Sequence, residues 1–214
     1  MNTDFINSLK KIVGDAYVLT DPADTLKYNR EWRNLYEGKA QVVVRPETTQ
    51  QVSDIVKLCA ANKIAIVPQG GNTGLVGGQV SMDENAVLLS LSRMNKIRKM
   101  DAAGFSMIAE AGVTVQTAQE EAEKANRLFA LSLASEGSCE IGGTVSTNAG
   151  GMNALLYGMM RSLVFGLEVV LPDGRIWDGL RVLRKDNSGY DLKQLFIGAE
   201  GTLGIITSLT LKLY

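Results

Sequence analysis

The stretch that decides the fold is PQGGNTGL at residues 68–75, which directly follows the apolar run IAIV at residues 64–67. An apolar run that ends in a glycine-rich turn is typical of a strand that brings its carboxyl end to a ligand. Glycines permit left-handed backbone angles and close approach, so successive N–H groups can converge on phosphate oxygens, and Asn72 and Thr73 add side-chain donors. The stretch predicts a site for a nucleotide pyrophosphate, with a purely structural glycine loop as the alternative.

The glycine spacing excludes two common phosphate-binding loops. Gly70, Gly71 and Gly74 do not fit the dinucleotide pattern G-x-G-x-x-G. A Walker loop needs a Lys-Ser or Lys-Thr pair after its glycines, and none follows here. The loop therefore belongs to neither of these classes.

The residues before the loop predict a β-α-β unit. The run AQVVVR at residues 40–45 is typical of a buried strand, and Thr48 and Gln51 are spaced like a capping box at a helix start. The apolar positions that follow recur at helical spacing: Val52, Ile55, Val56 and Cys59. The second strand of the unit ends at the glycine loop.

The rest of the chain predicts an α+β fold in two lobes. Residues 2–13 indicate a surface helix, and residues 21–38 a polar, irregular segment in which Trp32 has a packing role. Further elements are expected along the chain: strands at residues 86–91 and 106–110, a helix starting at 112–114, and a hairpin at 167–177. We place a β-α-β lobe at about residues 1–95 and a strand-rich lobe at about residues 96–214.

Composition excludes several classes of function. The net charge of −1 gives no global positive field for nucleic acid. There is no histidine among the 214 residues, so hydrolytic triads and metal sites are poor candidates, and no metal is expected. The N-terminus lacks both a basic start and a long apolar run, and there are only two cysteines. We therefore expect an untargeted cytoplasmic protein with two reduced thiols.

Two further glycine clusters follow the first. They read GSCEIGGTVSTNAGG at residues 137–151 and GAEGTLGIIT at residues 198–207. Small residues let the backbone lie flat against a planar ligand, while Ser146, Thr147 and Asn148 offer polar contacts. Three clusters in one chain predict one extended ligand.

Four runs together resemble the FAD-linked 2-hydroxy-acid dehydrogenases of the vanillyl-alcohol-oxidase flavoprotein superfamily. These runs are PQGGNTGLVGG, SEGSCEIGGTVSTNAGG, LEVVLPDG and RKDNSGYDLKQLFIGAEGTLGIIT. The resemblance covers residues 41–214 and is nearest to the group of D-2-hydroxyglutarate dehydrogenase, D-lactate dehydrogenase and the glycolate oxidase flavin subunit. It implies the two-lobed FAD-binding domain known as the PCMH type. FAD is expected to be non-covalent, because histidine is absent and Cys139 stands where non-covalent relatives also have cysteine.

The resemblance also implies which residues bind FAD. Those at the pyrophosphate are Pro68, Gln69, Gly70, Gly71, Asn72, Thr73, Gly74 and Leu75. Those along the flavin are Ser138, Gly142, Gly143, Thr147, Asn148 and Gly151, and those near the nucleotide end are Glu200, Gly204 and Ile206. The sequence departs from the family at Ala130 and Ser132, where relatives commonly have proline and aspartate.

The implied function is oxidation of a D-2-hydroxy acid to the 2-oxo acid by hydride transfer to FAD, with a quinone or an electron-transfer protein as the next acceptor. Residues 1–214 match only the family's FAD-binding domain, so the substrate is expected to bind a further domain or a partner subunit, and the chain alone is expected to be inactive. No catalytic residue is assigned, and whether Arg161 faces the flavin or a substrate carboxylate, or pairs with a nearby acid, is left open.

Two alternatives were weighed. A stand-alone flavin-binding or electron-transfer module is compatible with the missing histidines. A UDP-N-acetylenolpyruvoylglucosamine reductase is disfavoured by the run RKDNSGYDLKQLFIGAEGTLGIIT.

Overall fold

The computed structural model describes residues 2–214, which form α-helices and strands in two sheets. The helices are α1 (Thr3–Val13), α2 (Pro22–Asn29), α3 (Thr49–Asn62), α4 (Val115–Lys124), α5 (Ile141–Ser146), α6 (Ala154–Tyr157) and α7 (Lys193–Phe196). The strands are β1 (Val18–Leu19), β2 (Val42–Val44), β3 (Ile66–Gln69), β4 (Val87–Ser90), β5 (Ile97–Asp101), β6 (Ser106–Glu110), β7 (Val164–Val170), β8 (Ile176–Gly179) and β9 (Ile205–Lys212). Within residues 2–214, no helix has the length and apolar character needed to cross a bilayer.

The first sheet contains the β-α-β unit that the sequence predicts. Its order is β1-β2-β4-β3, in which β2, β4 and β3 are parallel and β1 is an antiparallel edge strand. The crossover helix α3 begins after Thr48, whose hydroxyl accepts a hydrogen bond from Gln51 N at 3.2 Å. It ends at Lys63, which is left-handed with φ 55°. Because Gln69 pairs with Ser90, the carboxyl ends of β3 and β4 lie side by side.

The second sheet is antiparallel, in the order β5-β6-β9-β7-β8. Its central strand β9 is buried along almost its whole length, which fits the apolar and small side chains it carries. The predicted hairpin is formed by β7 and β8, with Val170 opposite Ile176. Gly174 in its turn has φ 82°, a backbone angle that favours glycine.

Helix α3 packs against both sheets. Its apolar side chains share a core with strands β2 and β4 of the first sheet and with Val170 and Ile205 of the second. Ser53 Oγ donates to Gly174 O at 2.6 Å, and Thr49 Oγ1 donates to Glu168 Oε1 at 2.7 Å. The helix therefore fixes one sheet relative to the other, and the mixed architecture confirms the predicted α+β class.

Two predictions for residues 21–38 are wrong. The segment is not irregular, because it contains α2, which begins with Pro22 in its first turn and with the Asp21 carboxylate accepting from Ala23 N at 2.8 Å. Trp32 does not pack in the interior, since 74% of its surface is exposed.

Candidate cofactor-binding site

The three glycine clusters surround one cavity of about 430 Å³. The first cluster follows β3, the second includes α5, and the third lies between α7 and β9. Residues that follow β4 and β6, Leu91 and Ala111, also reach the cavity wall. Segments far apart in the sequence therefore form one continuous wall, as an extended ligand requires.

Close backbone contacts hold these segments together. A Cβ atom at Gly71 would lie 1.8 Å from the carbonyl oxygen of Ser138, so only glycine lets the first cluster meet the second. A Cβ atom at Gly201 would lie 2.5 Å from Pro68 Cγ, and Gly201 has φ 79°. These two glycines bring the second and third clusters onto the loop that follows β3.

The backbone of the first loop differs from the expectation. Its left-handed residue is Asn72, with φ 55°, whereas Gly70, Gly71 and Gly74 do not have positive φ. Asn72 Nδ2 donates to Lys27 O at 3.1 Å and to Arg30 O at 2.6 Å. The Asn72 amide thus fastens the loop to the end of α2 and is not free to donate to a phosphate.

The main-chain N–H groups of this loop are unpaired. From residue 70 to residue 76, none donates a hydrogen bond to another atom of residues 2–214. All seven of these residues line the cavity, and the next residue, Gly77, does not line it and has φ 82°. Clustered N–H groups without protein partners form an anion-binding concavity. The loop is therefore suited to phosphate oxygens.

Most of the residues that the sequence assigned to FAD line this cavity. They are Pro68, Gln69, Gly70, Gly71, Asn72, Thr73, Gly74, Leu75, Gly142, Gly143, Thr147, Glu200, Gly204 and Ile206.

Ser138, Asn148 and Gly151 lie outside the cavity wall. The Ser138 carbonyl faces Gly71, and the Asn148 Oδ1 atom accepts from Arg161 N at 3.0 Å. A Cβ atom at Gly151 would lie 1.9 Å from Ser132 O. These residues support neighbouring backbone segments, and their assignment to the flavin stays a prediction.

Arg161 is held by the segment around α7. Its Nη1 donates to Gln194 O at 3.2 Å and its Nη2 to Ile197 O at 2.6 Å. The guanidinium therefore binds carbonyl groups of the chain and, within residues 2–214, pairs with no acid.

The cavity wall also contains Ser146, whose polar contact the sequence indicates, and residues that were not assigned to FAD. The latter are Val76, Gly78, Gln79, Leu91, Ala111, Leu133, Ser135, Cys139, Glu140, Thr144, Ala149, Gly201 and Ile205. Glu140 had a signal in the sequence, because it is a lone acid within the small and apolar run CEIGG. Leu91 and Ala111 had none, since only the pairing of β4 with β3 and of β6 with β9 brings them here.

Glu140 is an unpartnered acid in the cavity wall. It is 7% exposed, and its Oε2 atom has no hydrogen-bond partner. It is the N-cap residue of α5, but its side chain makes no capping hydrogen bond, and an ideal Cβ atom on Gly70 would lie 3.5 Å from Oε2. Burial raises the pKa of Glu140 to about 8, and the positive charge of Arg45 opposes this shift.

The cavity has little positive charge. In the described chain no Lys or Arg lines it, and its charged residues are Glu140 and Glu200. An anion must then be bound through main-chain N–H groups, which the first loop supplies. Unpaired donors at one end and an apolar wall that includes Leu133, Ala149 and Ile206 fit an elongated molecule with a phosphate part and a planar part, as FAD has.

Comparison with known families identifies the domain. The family described as FAD binding domain matches residues 40–179. A D-2-hydroxyglutarate dehydrogenase of Danio rerio, named as mitochondrial, is 46% identical over 193 residues, covering 90% of this chain and 36% of the relative. A protein of Schizosaccharomyces pombe named as a mitochondrial D-lactate dehydrogenase is 48% identical over 191 residues, covering 89% and 36%.

Solved structures share the fold. An alkyldihydroxyacetonephosphate synthase superposes with a TM-score of 0.89 at 23% identity, covering all of this chain and 40% of the other. A 4-ethylphenol oxidase from Gulosibacter chungangensis superposes with a TM-score of 0.83, also at 23% identity, over 99% of this chain and 42% of the other. These likenesses confirm the predicted two-lobed fold of the PCMH type.

The relatives also bear on the cellular location of the protein and on the share of their length that this chain covers. The expectation of a cytoplasmic protein is wrong, because the two relatives above and the matching Oryza sativa dehydrogenase are named as mitochondrial. The chain spans well under half the length of these relatives, at 36–38%. The matched residues, the glycine clusters and the fold agree, and the chain belongs to the FAD-binding domain family.

Proposed function

We propose that residues 1–214 form the FAD-binding part of an enzyme that oxidises a D-2-hydroxy acid to the 2-oxo acid. The observation that carries the proposal is the run of unpaired N–H groups at residues 70–76, in a cavity lined by all three glycine clusters. The names of the D-2-hydroxyglutarate and D-lactate dehydrogenase relatives supply the substrate class. Bound FAD would supply the acceptor for the hydride.

The residues of the chain would bind and orient this cofactor. We assign the diphosphate to the loop at residues 70–76, the flavin ring to the wall formed by α5, and further contacts to Glu200, Gly204 and Ile206. We keep the boundary between the two lobes near residue 95, because the chain passes there from the first sheet to the second.

The substrate would need groups that the cavity wall does not offer. The carboxylate of a 2-hydroxy acid needs a cation, and within residues 2–214 no Lys or Arg lines the cavity, while Arg161 is bound to carbonyl groups. The hydroxyl proton needs a base, which is most often a histidine, and the 214 residues contain no histidine. We propose that a further domain or a partner subunit supplies both, and that a quinone or an electron-transfer protein accepts the electrons.

The first test measures FAD binding and flavin reduction by the isolated chain. We expect the purified protein to bind FAD and become yellow, and the bound flavin to be reduced by dithionite. In anaerobic mixing, D-2-hydroxyglutarate and D-lactate should leave the flavin absorbance unchanged, because losing a positioned general base alone costs about 10²–10⁴-fold in rate. Rapid bleaching by either acid would place the base and the carboxylate site within residues 1–214. It would refute the proposal that a further domain or a partner subunit supplies them.

The reading frame of the gene decides between this proposal and a stand-alone flavin module. A continuation that contains histidines, and whose product bleaches the flavin with a D-2-hydroxy acid, would support the dehydrogenase. A stop codon after Tyr214, with no partner subunit that restores turnover, would support the flavin module.

The FAD is expected to be released completely by acid. Among the cavity residues within 2–214, the one nucleophile of the kind that links flavins is Cys139, which is 4% exposed, and burial raises the pKa of its thiol. The thiol therefore stays protonated near neutral pH and reacts poorly. Precipitation with acid followed by absorbance of the supernatant measures the release, and flavin that stays in the pellet of wild type but not of Cys139→Ser would show a covalent link.

A further inference from the structure

The Glu140 carboxyl is buried in the cavity wall without a hydrogen-bond partner in the described chain, as is expected of a group that binds a ligand. Its carboxyl is more than nine-tenths buried in the cavity wall, and Oε2 lacks any partner among residues 2–214. Its carboxyl makes no ion pair within 4.0 Å among residues 2–214. Although Glu140 is the N-cap residue of α5, its side chain makes no capping hydrogen bond. A buried polar atom without a hydrogen bond is costly, so a partner on a bound molecule would remove that cost.

The charges around Glu140 favour its neutral form when an anion binds. Arg45, at the end of β2, is the one cation that influences it, and no hydrogen bond joins the two side chains. The Cys139 thiol is its neighbour in sequence, and Glu200 lies on the wall contributed by the third cluster. FAD carries a diphosphate, and an ionised Glu140 in the same cavity would repel it because no Lys or Arg lines the wall.

We propose that Glu140 holds a proton when FAD is bound and donates it in a hydrogen bond to the cofactor, so that FAD binding is coupled to protonation of this side chain. The inference rests on the proposed FAD site. It assigns Glu140 a role in cofactor binding and gives the site a dependence on pH. The proton comes from solvent and no covalent bond changes.

The direction of the pH effect follows from linkage. Burial already raises the pKa of Glu140 to about 8 in the protein without ligand, and the diphosphate raises it further. Below that pH the proton is present before FAD arrives, so affinity is constant. Above it each binding event takes up a proton, and the dissociation constant of FAD rises by up to about tenfold per pH unit.

The experiment measures FAD affinity by flavin fluorescence from about pH 6 to about pH 9.5, for wild type and for Glu140→Gln. Glutamine keeps the size of the side chain and always carries N–H donors, so the variant should bind FAD with constant affinity across the range. Calorimetry of wild type in buffers of different ionisation enthalpy should show proton uptake at about pH 9, and the variant should show none. Cys139→Ser removes the neighbouring thiol and should keep the wild-type profile.

The outcomes are distinguishable. Equal pH profiles in wild type and Glu140→Gln, or absence of proton uptake by wild type at the alkaline end, would overturn this inference and leave FAD binding intact. If the FAD affinity of Cys139→Ser no longer falls at alkaline pH, the effect belongs to the thiol and the inference on Glu140 is overturned. A wild-type protein that binds no FAD at any pH would overturn the proposed function together with the inference.

Discussion

Gly71→Val is expected to abolish FAD binding. The added Cβ atom would lie 1.8 Å from the Ser138 carbonyl oxygen, and backbone cannot yield there without separating the first glycine cluster from the second. The unpaired N–H groups of residues 70–76 would then move away from the wall formed by α5. We expect a dissociation constant for FAD at least about 100-fold higher, since misplacement of a binding loop costs several kcal/mol.

Gly143→Val is the matched control for stability and not for FAD affinity, because Gly143 lines the cavity and is itself assigned to the flavin. A Cβ atom at Gly143 meets no protein atom within 4 Å, although the residue lines the same cavity. The melting temperature of Gly143→Val should therefore stay near that of wild type, while Gly71→Val should melt at a lower temperature. Titration of both proteins with FAD, with thermal melts in its absence, makes the comparison. Wild-type affinity in Gly71→Val would show that the contact between the two clusters does not build the site.

The protein without flavin is expected to lose stability as the pH rises from about 5 to about 8. In this window Glu140 is protonated in the folded state, where its pKa is raised to about 8, and ionised in the unfolded state. The folded state binds one more proton, so the free energy of unfolding falls by up to about 1.4 kcal/mol per pH unit. The chain has no histidine, and side chains whose pKa is lowered, such as Asp186, finish titrating below this window.

Urea unfolding at a series of pH values measures this slope. Glu140→Gln should flatten it and should be more stable than wild type near pH 8, because glutamine has no charge to bury. Glu123→Gln removes an exposed acid on α4 and should keep the wild-type slope. A slope that persists in Glu140→Gln would assign the effect to another group.

Local sequence patterns predicted the elements that carry strong periodicity or capping. Thr48 and the apolar positions of α3 indicated a helix, and both ends of its β-α-β unit are where the pattern placed them. The hairpin of β7 and β8 followed from its Pro-Asp turn. Helix α2 was missed because its polar composition gives no clear apolar face, and its start depends on a single cap, Asp21.

The site was predictable where the chain is continuous and less so where segments meet. The glycine clusters were assigned from their own residues, and most of these residues line the cavity. The role of Asn72 could not be found this way, because its partners, the carbonyls of Lys27 and Arg30, lie more than 40 residues earlier. The contact of the Ser138 carbonyl with Gly71 could not be found either, since nothing in the sequence shows that these two segments meet.

The contacts of Gly71 with Ser138 and of Gly201 with Pro68 also set the order in which the molecule can fold. Both close long loops, and closing a long loop costs entropy before the contact stabilises anything. The first sheet can pair as soon as β4 has been made, whereas the cavity must wait for the last glycine cluster to leave the ribosome. Free FAD present at that moment would bind only the finished cavity and so draw the newly made chain toward its native state by mass action.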